Sequence, residues 1–159
     1  MKIDVLCVGK LKERYFTAAV EEYRKRLGRY CQLEIREVPD EPAPENASPA
    51  QAEQVKEAEG KRLLRWRKPE AYAIALAIEG ESLTSEGFAR KLEGLGLSGR
   101  SHIQFLIGGS LGLSPEVLRQ ADYRLSFSAM TFPHQLMRVI LLEQVYRSFR
   151  IIRGEPYHK

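Results

Sequence analysis

The run Ala71-Tyr72-Ala73-Ile74-Ala75-Leu76-Ala77-Ile78 is apolar at odd and even positions alike. Successive side chains of a strand point to opposite faces, so such a run is shielded only when both faces of its sheet are covered. Shorter apolar runs stand at Ile3–Val8, Leu33–Val38, His102–Ile107 and Tyr123–Phe127, with helically patterned stretches between them. Parallel neighbours need crossover connections, which helices usually supply, so this alternation predicts an α/β fold with a mostly parallel sheet. At 159 residues the chain is long enough for one substantial core, and residues 1–159 are read as a single domain.

The helix boundaries are signposted. Arg14–Leu27 has helical patterning, and Ser48-Pro49-Ala50-Gln51 reads as an N-cap, a proline at the first helical position and a capping-box Gln, opening a helix that ends near Trp66. A third helix follows Thr84 to about Leu92, and Ser114-Pro115-Glu116 repeats the cap for a short fourth one. The last and longest runs from about Pro133 to Ile152, with Leu136, Met137, Val139, Ile140, Leu141, Leu142, Val145, Tyr146, Phe149, Ile151 and Ile152. That is too many apolar residues for one stripe, so the helix is expected to be covered on two sides, either centrally in a monomer or against a partner subunit. Pro39–Pro49, with four prolines and three acidic residues, reads as an exposed excursion.

Composition matters mainly for what it excludes. No stretch approaches the roughly 20 apolar residues of a membrane-spanning helix, and the opening apolar run is too short for a signal peptide, so a cytoplasmic location is expected. Cys7 and Cys31 lack metal-ligand spacing and are read as core residues rather than a disulfide; no metal site is expected. The net charge of +4 is unevenly spread: Lys10–Arg29 has seven basic and three acidic residues, Lys61–Lys68 five basic and none acidic, and Glu37–Glu59 seven acidic and one basic. Such basic segments suit either a phosphate-tracking face or solvated helix surfaces.

Ligands of open α/β sheets bind beyond the carboxyl ends of strands, and three such places carry unusual residues. They are Leu76-Ala77-Ile78-Glu79-Gly80, Ile107-Gly108-Gly109-Ser110-Leu111-Gly112, and Phe127-Ser128-Ala129-Met130-Thr131-Phe132-Pro133-His134. The glycines of the second let backbone approach a ligand closely, yet serve equally in a plain strand-to-helix turn or a phosphate cradle. Walker A and dinucleotide fingerprints are missing. In the third, Ser128 and Thr131 with backbone amides can bind a purine edge against Met130 and the aromatics; the alternative is a buried turn with Thr131 capping the helix.

Taken together, the opening IDVLCVGKLKERYFTAAVEEYRKRL, the central LAIEG, the IGGSLG turn, the FSAMTFPHQLMRVILLEQVYRSFRIIRG block and the closing PYHK resemble the RlmH family of ribosomal RNA large-subunit methyltransferases. That family belongs to the SPOUT class, and the resemblance covers the whole chain. It implies a knotted (trefoil) α/β methyltransferase fold, a homodimer paired through the last helix, and S-adenosyl-L-methionine as cofactor. It further implies methylation of N3 of a pseudouridine in the helix 69 region of 23S ribosomal RNA on the assembled ribosome. Carried over residue by residue, it assigns cofactor binding to Leu76, Gly108, Phe127, Ser128, Ala129, Met130, Thr131 and Phe132. The tail residues Arg153, Tyr157, His158 and Lys159 would contact substrate RNA through stacking and hydrogen-bond donors.

Methylating an imide nitrogen needs alignment and removal of a proton, and no metal. His158 is the expected proton acceptor, with His134 and Glu79 as alternatives. Two other readings compete: a non-catalytic RNA-binding protein relying on the basic segments, and a nucleotide-dependent enzyme with a phosphate cradle at Gly108.

Overall fold

A computed structural model describes residues 1–159. The elements run β1 (Lys2–Val8), α1 (Arg14–Leu27), β2 (Gln32–Val38), α2 (Pro49–Leu64), β3 (Tyr72–Ser82), α3 (Ser85–Leu97), β4 (His102–Ile107), α4 (Pro115–Gln120), β5 (Tyr123–Ser126) and α5 (His134–Ile152). The five strands form one sheet in the order β2-β1-β4-β3-β5, and every neighbouring pair is parallel.

Strand alternation divides the core in two. Ile3, Val5 and Cys7 of β1, Ile74 of β3, and Ile103, Phe105 and Ile107 of β4 meet α1, α3 and α5 through Val20, Leu27, Phe88, Leu92, Leu141, Leu142 and Val145. On the opposite face Leu6, Val8, Ala73, Ala75 and Leu106 meet Leu63 of α2 and Val117 of α4. Both faces of β3 are therefore covered, as its unbroken apolar run requires. Each fully buried Leu, Ile or Phe contributes roughly 1.5–3 kcal/mol.

The caps written into the sequence are in place. Ser48 Oγ accepts from the Gln51 backbone N–H at 3.2 Å while Gln51 Oε1 accepts from the Ser48 N–H at 2.9 Å, and Thr84 and Ser114 cap α3 and α4. Helix α5 departs from this pattern. Its N-cap is Pro133, which has no side-chain bond to offer, so Thr131 does not cap it. Other boundaries also differ from expectation: α2 ends at Leu64, α3 continues to Leu97, and β3 extends to Ser82.

The extension of β3 is irregular. Its pairing with β5 jumps from Leu76↔Leu125 to Glu81↔Leu125, leaving Ala77–Gly80 as a bulge. A Cβ on Gly80 would lie 2.7 Å from the carbonyl of Arg124, so only glycine lets the strand return to β5 there.

Two buried polar clusters tie elements together. Arg138 of α5 is 1% exposed and donates to the carbonyls of Val8 (3.1 Å) and Gly9 (2.6 Å) and to Glu37 Oε2 (2.5 Å). This joins the carboxyl ends of β1 and β2 to the first turns of α5. At the opposite end of the strands, Gln104 donates to Asp4 Oδ2 (3.0 Å) and the Trp66 carbonyl (2.9 Å) and accepts from the Lys68 N–H (2.9 Å), while His102 Nε2 lies 2.8 Å from the same Asp4 oxygen.

Arg138→Ala strands two buried carbonyls and leaves a cavity, and is expected to cost about 3–5 kcal/mol, read as a lowered midpoint in denaturant. Both cysteines are free, and burial pushes each thiol up to about 11. Native protein at pH 8 is therefore expected to react slowly with a disulfide reagent, and both thiols to react promptly after unfolding.

Candidate active site

The carboxyl ends of β3, β4 and β5 open into one cavity of about 670 Å³. That volume suits a ligand of nucleoside size or somewhat larger. Three chain segments build it: the β3 bulge, the turn after β4, and the connection from β5 to α5.

The turn after β4 folds back on itself. Gly109 and Gly112 form an isolated bridge, and Gly112 takes a φ of +91°. Gly108 is buried beneath this fold, and a Cβ there would lie 2.6 Å from the carbonyl carbon of Gly112. No side chain fits between two backbone segments at that distance. From the other side, Phe127 packs edge-on against Phe88 with centroids 6.5 Å apart, anchoring the β5–α5 connection to the core. Ser128 Oγ accepts from the Met130 N–H at 2.9 Å, closing a local turn, and Met130 is 73% exposed at the mouth.

Leu76, Gly108, Phe127, Ser128, Met130, Thr131 and Phe132 all line this cavity; Ala129 is exposed and does not. Glu79 and His134 line it as well. Burial, reinforced by the neighbouring Arg138 guanidinium, pushes the His134 pKa below the ordinary histidine value, which keeps the ring neutral at pH 7.

The tail is elsewhere. Tyr157 donates to Glu143 Oε1 at 3.1 Å and packs edge-on against Tyr146. His158 Nε2 lies 2.7 Å from Glu86, and its Nδ1 lies 3.1 Å from Arg147. Arg153 stacks over Tyr30, and Lys159 is exposed at the chain end. The chain end is thus folded back over α3 and α5, and Arg153, Tyr157, His158 and Lys159 do not line the cavity.

Some residues of the site escape a reading confined to strand ends. Lys56 of α2 lines the cavity from below, held 2.6 Å from Glu53. One turn on, buried Glu59 presses against Gly109 and accepts from the Glu41 N–H at 3.0 Å; burial pushes its carboxyl pKa up. Their i, i+3 spacing puts both on one face of α2, but only the packing of that helix against the β4 turn brings the face to the site. The structure holds no group of three or more His, Cys, Asp or Glu side chains suited to a metal ion, and no helix long and apolar enough to cross a membrane.

Comparison with known proteins agrees with this architecture. A family model described as "Predicted SPOUT methyltransferase" matches residues 1–158. The ribosomal RNA large subunit methyltransferase H of Bifidobacterium adolescentis is 60% identical over 159 residues, covering all of both chains, and that of Clostridium kluyveri is 57% identical over the same span. A solved structure of a probable methylase family protein from Haemophilus influenzae Rd KW20 superposes with a TM-score of 0.56 at 10% identity, over 99% of this chain and 70% of that one, a likeness of fold alone. With one family model spanning nearly every residue and end-to-end identity of this order, the chain belongs to the RlmH family of SPOUT methyltransferases.

Proposed function

We propose that this chain, acting as one catalytic domain, methylates N3 of a pseudouridine in 23S ribosomal RNA, in the helix 69 region of the assembled ribosome in the cytoplasm, using S-adenosyl-L-methionine. The observation that carries the reading is the convergence of Leu76, Gly108, Phe127, Ser128, Met130, Thr131 and Phe132 on one cavity at the strand ends.

The lining suits the cofactor. Apolar side chains such as Leu76 and Phe127 would pack against a heteroaromatic base, Glu79 and Lys56 offer one charge of each sign, and Gly108 lets backbone rather than a side chain form the wall. Leu76, Gly108 and Phe127–Phe132 would hold it, with the knot of the fold bringing these segments together and Ala129 contributing through its main chain. S-adenosylmethionine, when bound, supplies an electrophilic methyl carbon on a sulfonium.

The chain's own residues then have two tasks. Holding the acceptor nitrogen in line with that carbon can lower the barrier by roughly 7–11 kcal/mol, and a general base contributes typically about 10²–10⁴-fold. His134, neutral and within the cavity, is able to accept a proton. His158 can do so only by reaching the cavity of a second protomer, as can the RNA contacts of Arg153, Tyr157 and Lys159. A homodimer paired through α5 provides that route. Leu136, Ile140 and Ile151, along one side of α5, are only partly buried and belong to neither core cluster, which supports pairing there.

Calorimetric titration is expected to show S-adenosylmethionine binding, and Gly108→Val, which must displace the turn against Gly112, to weaken it ~10-fold or more and to lower the melting temperature. Binding of RNA alone, with no affinity for the cofactor, would instead indicate a non-catalytic RNA-binding protein. Deleting Pro156–Lys159 is expected to lower ribosome methylation at least ~100-fold while cofactor affinity holds. The melting temperature should fall a few degrees, because Tyr157 and His158 lose their contacts with Glu143 and Glu86. Full methylation after truncation would remove the tail from the mechanism.

A further inference from the structure

The corner between α2 and β3 lies at the amino ends of the strands, remote from the cavity. Its basic segment Lys61–Lys68 is not uniform once folded. Arg62 is committed to Glu41 and the Pro39 carbonyl, and Arg67 to Asp122 and the carbonyls of Lys68 and Ala71. Lys61, Arg65 and Lys68 have no ion-pair partner, and Lys61 and Arg65 are exposed.

Among these cations stands Trp66, 43% exposed, although burying an indole is normally favourable. The Arg36 guanidinium from β2 lies 3.6 Å from the indole centroid, over one face of the ring; it is paired with Glu34 at 2.6 Å, and its side chain is 36% exposed. Indole and guanidinium stack face to face into a two-layer platform whose outer face is available to a base, held from beneath where Gln104 bonds the Trp66 carbonyl and the Lys68 N–H. The recess under it, about 70 Å³, is walled in part by Asp4, whose Oδ1 is buried without a protein donor. A space that small takes a water molecule or an amino group but not a nucleobase, so a base can stack on the platform but cannot insert beneath it.

We propose that Trp66 and Arg36 form a second RNA contact, on which an unstacked nucleobase lies while Arg65, Lys61 and Lys68 neutralise the flanking phosphates. Stacking on exposed aromatic and guanidinium planes beside uncommitted cations is how proteins grip single-stranded RNA without reading its sequence. This rests on the ribosomal RNA reading above. The contact helps a large substrate dock, and takes no part in methyl transfer.

The test uses full-length protein and purified ribosomes. Trp66→Ala is expected to raise KM for ribosomes ~5–100-fold, with kcat at saturation and S-adenosylmethionine affinity unchanged. Arg65→Ala/Lys68→Ala, which removes charge without touching the core, is expected to flatten the salt dependence of ribosome binding by about one unit of slope. A photo-crosslinking residue in place of Trp66 should capture RNA. Wild-type KM and salt slope in both variants, or crosslinks to ribosomal protein alone, would overturn the proposal. Failure of the wild type to methylate ribosomes at all would instead sink the reading of the active site.

Discussion

The Arg138 guanidinium is the interaction on which the site depends. A charge buried to this degree needs acceptors, and here Val8, Gly9 and Glu37, at the ends of two strands, accept from its two terminal nitrogens while Nε has no partner. The bond set pins the first turns of α5 against β1 and β2. Because α5 lacks a side-chain cap, this tertiary anchor, rather than local capping, defines where the helix begins. The connection Phe127–Pro133 is thereby held between fixed points, with Phe127 packed against Phe88 at one end and Arg138 at the other. The same guanidinium helps keep His134 neutral.

Backbone shapes the cavity as well as side chains do. At Gly80 the strand passes too close to Arg124 for a Cβ, and at Gly108 the turn passes too close to Gly112. Both approaches fold main chain around the space where the cofactor is proposed to lie. A wall of amides and carbonyls offers fixed donors and acceptors and loses little side-chain entropy when a ligand is held.

Most of the scaffold was legible from residue order. The double-sided apolar run of β3, the Ser48, Thr84 and Ser114 caps, and the regular alternation of elements predict a covered parallel sheet, and each signal is local. The family match was legible too, because LAIEG, IGGSLG and the long C-terminal block sit in order along the chain. Less visible was the β3 bulge, which exists only because β5 lies alongside. Thr131 offered a plausible cap, yet the observed N-cap is Pro133, two residues later. Lys56 and Glu59 went unnoticed because nothing in the chain order says that α2 packs beneath the β4 turn.

The charge pattern shows the same division. Composition marks Lys61–Lys68 as basic, but only folding consumes Arg62 and Arg67 in ion pairs and carbonyl contacts and leaves Arg65 and Lys68 uncommitted around Trp66. The tail behaves similarly: its residue types suit RNA, while its contacts with α3 and α5 put it outside the cavity. By itself, then, the sequence determined the elements, their parallel pairing and the family, because periodicity, capping and motif order act over short stretches of chain. Tertiary structure alone decided which strand ends share a cavity, which charges remain free and where the tail rests, because those outcomes depend on contacts between segments distant in sequence.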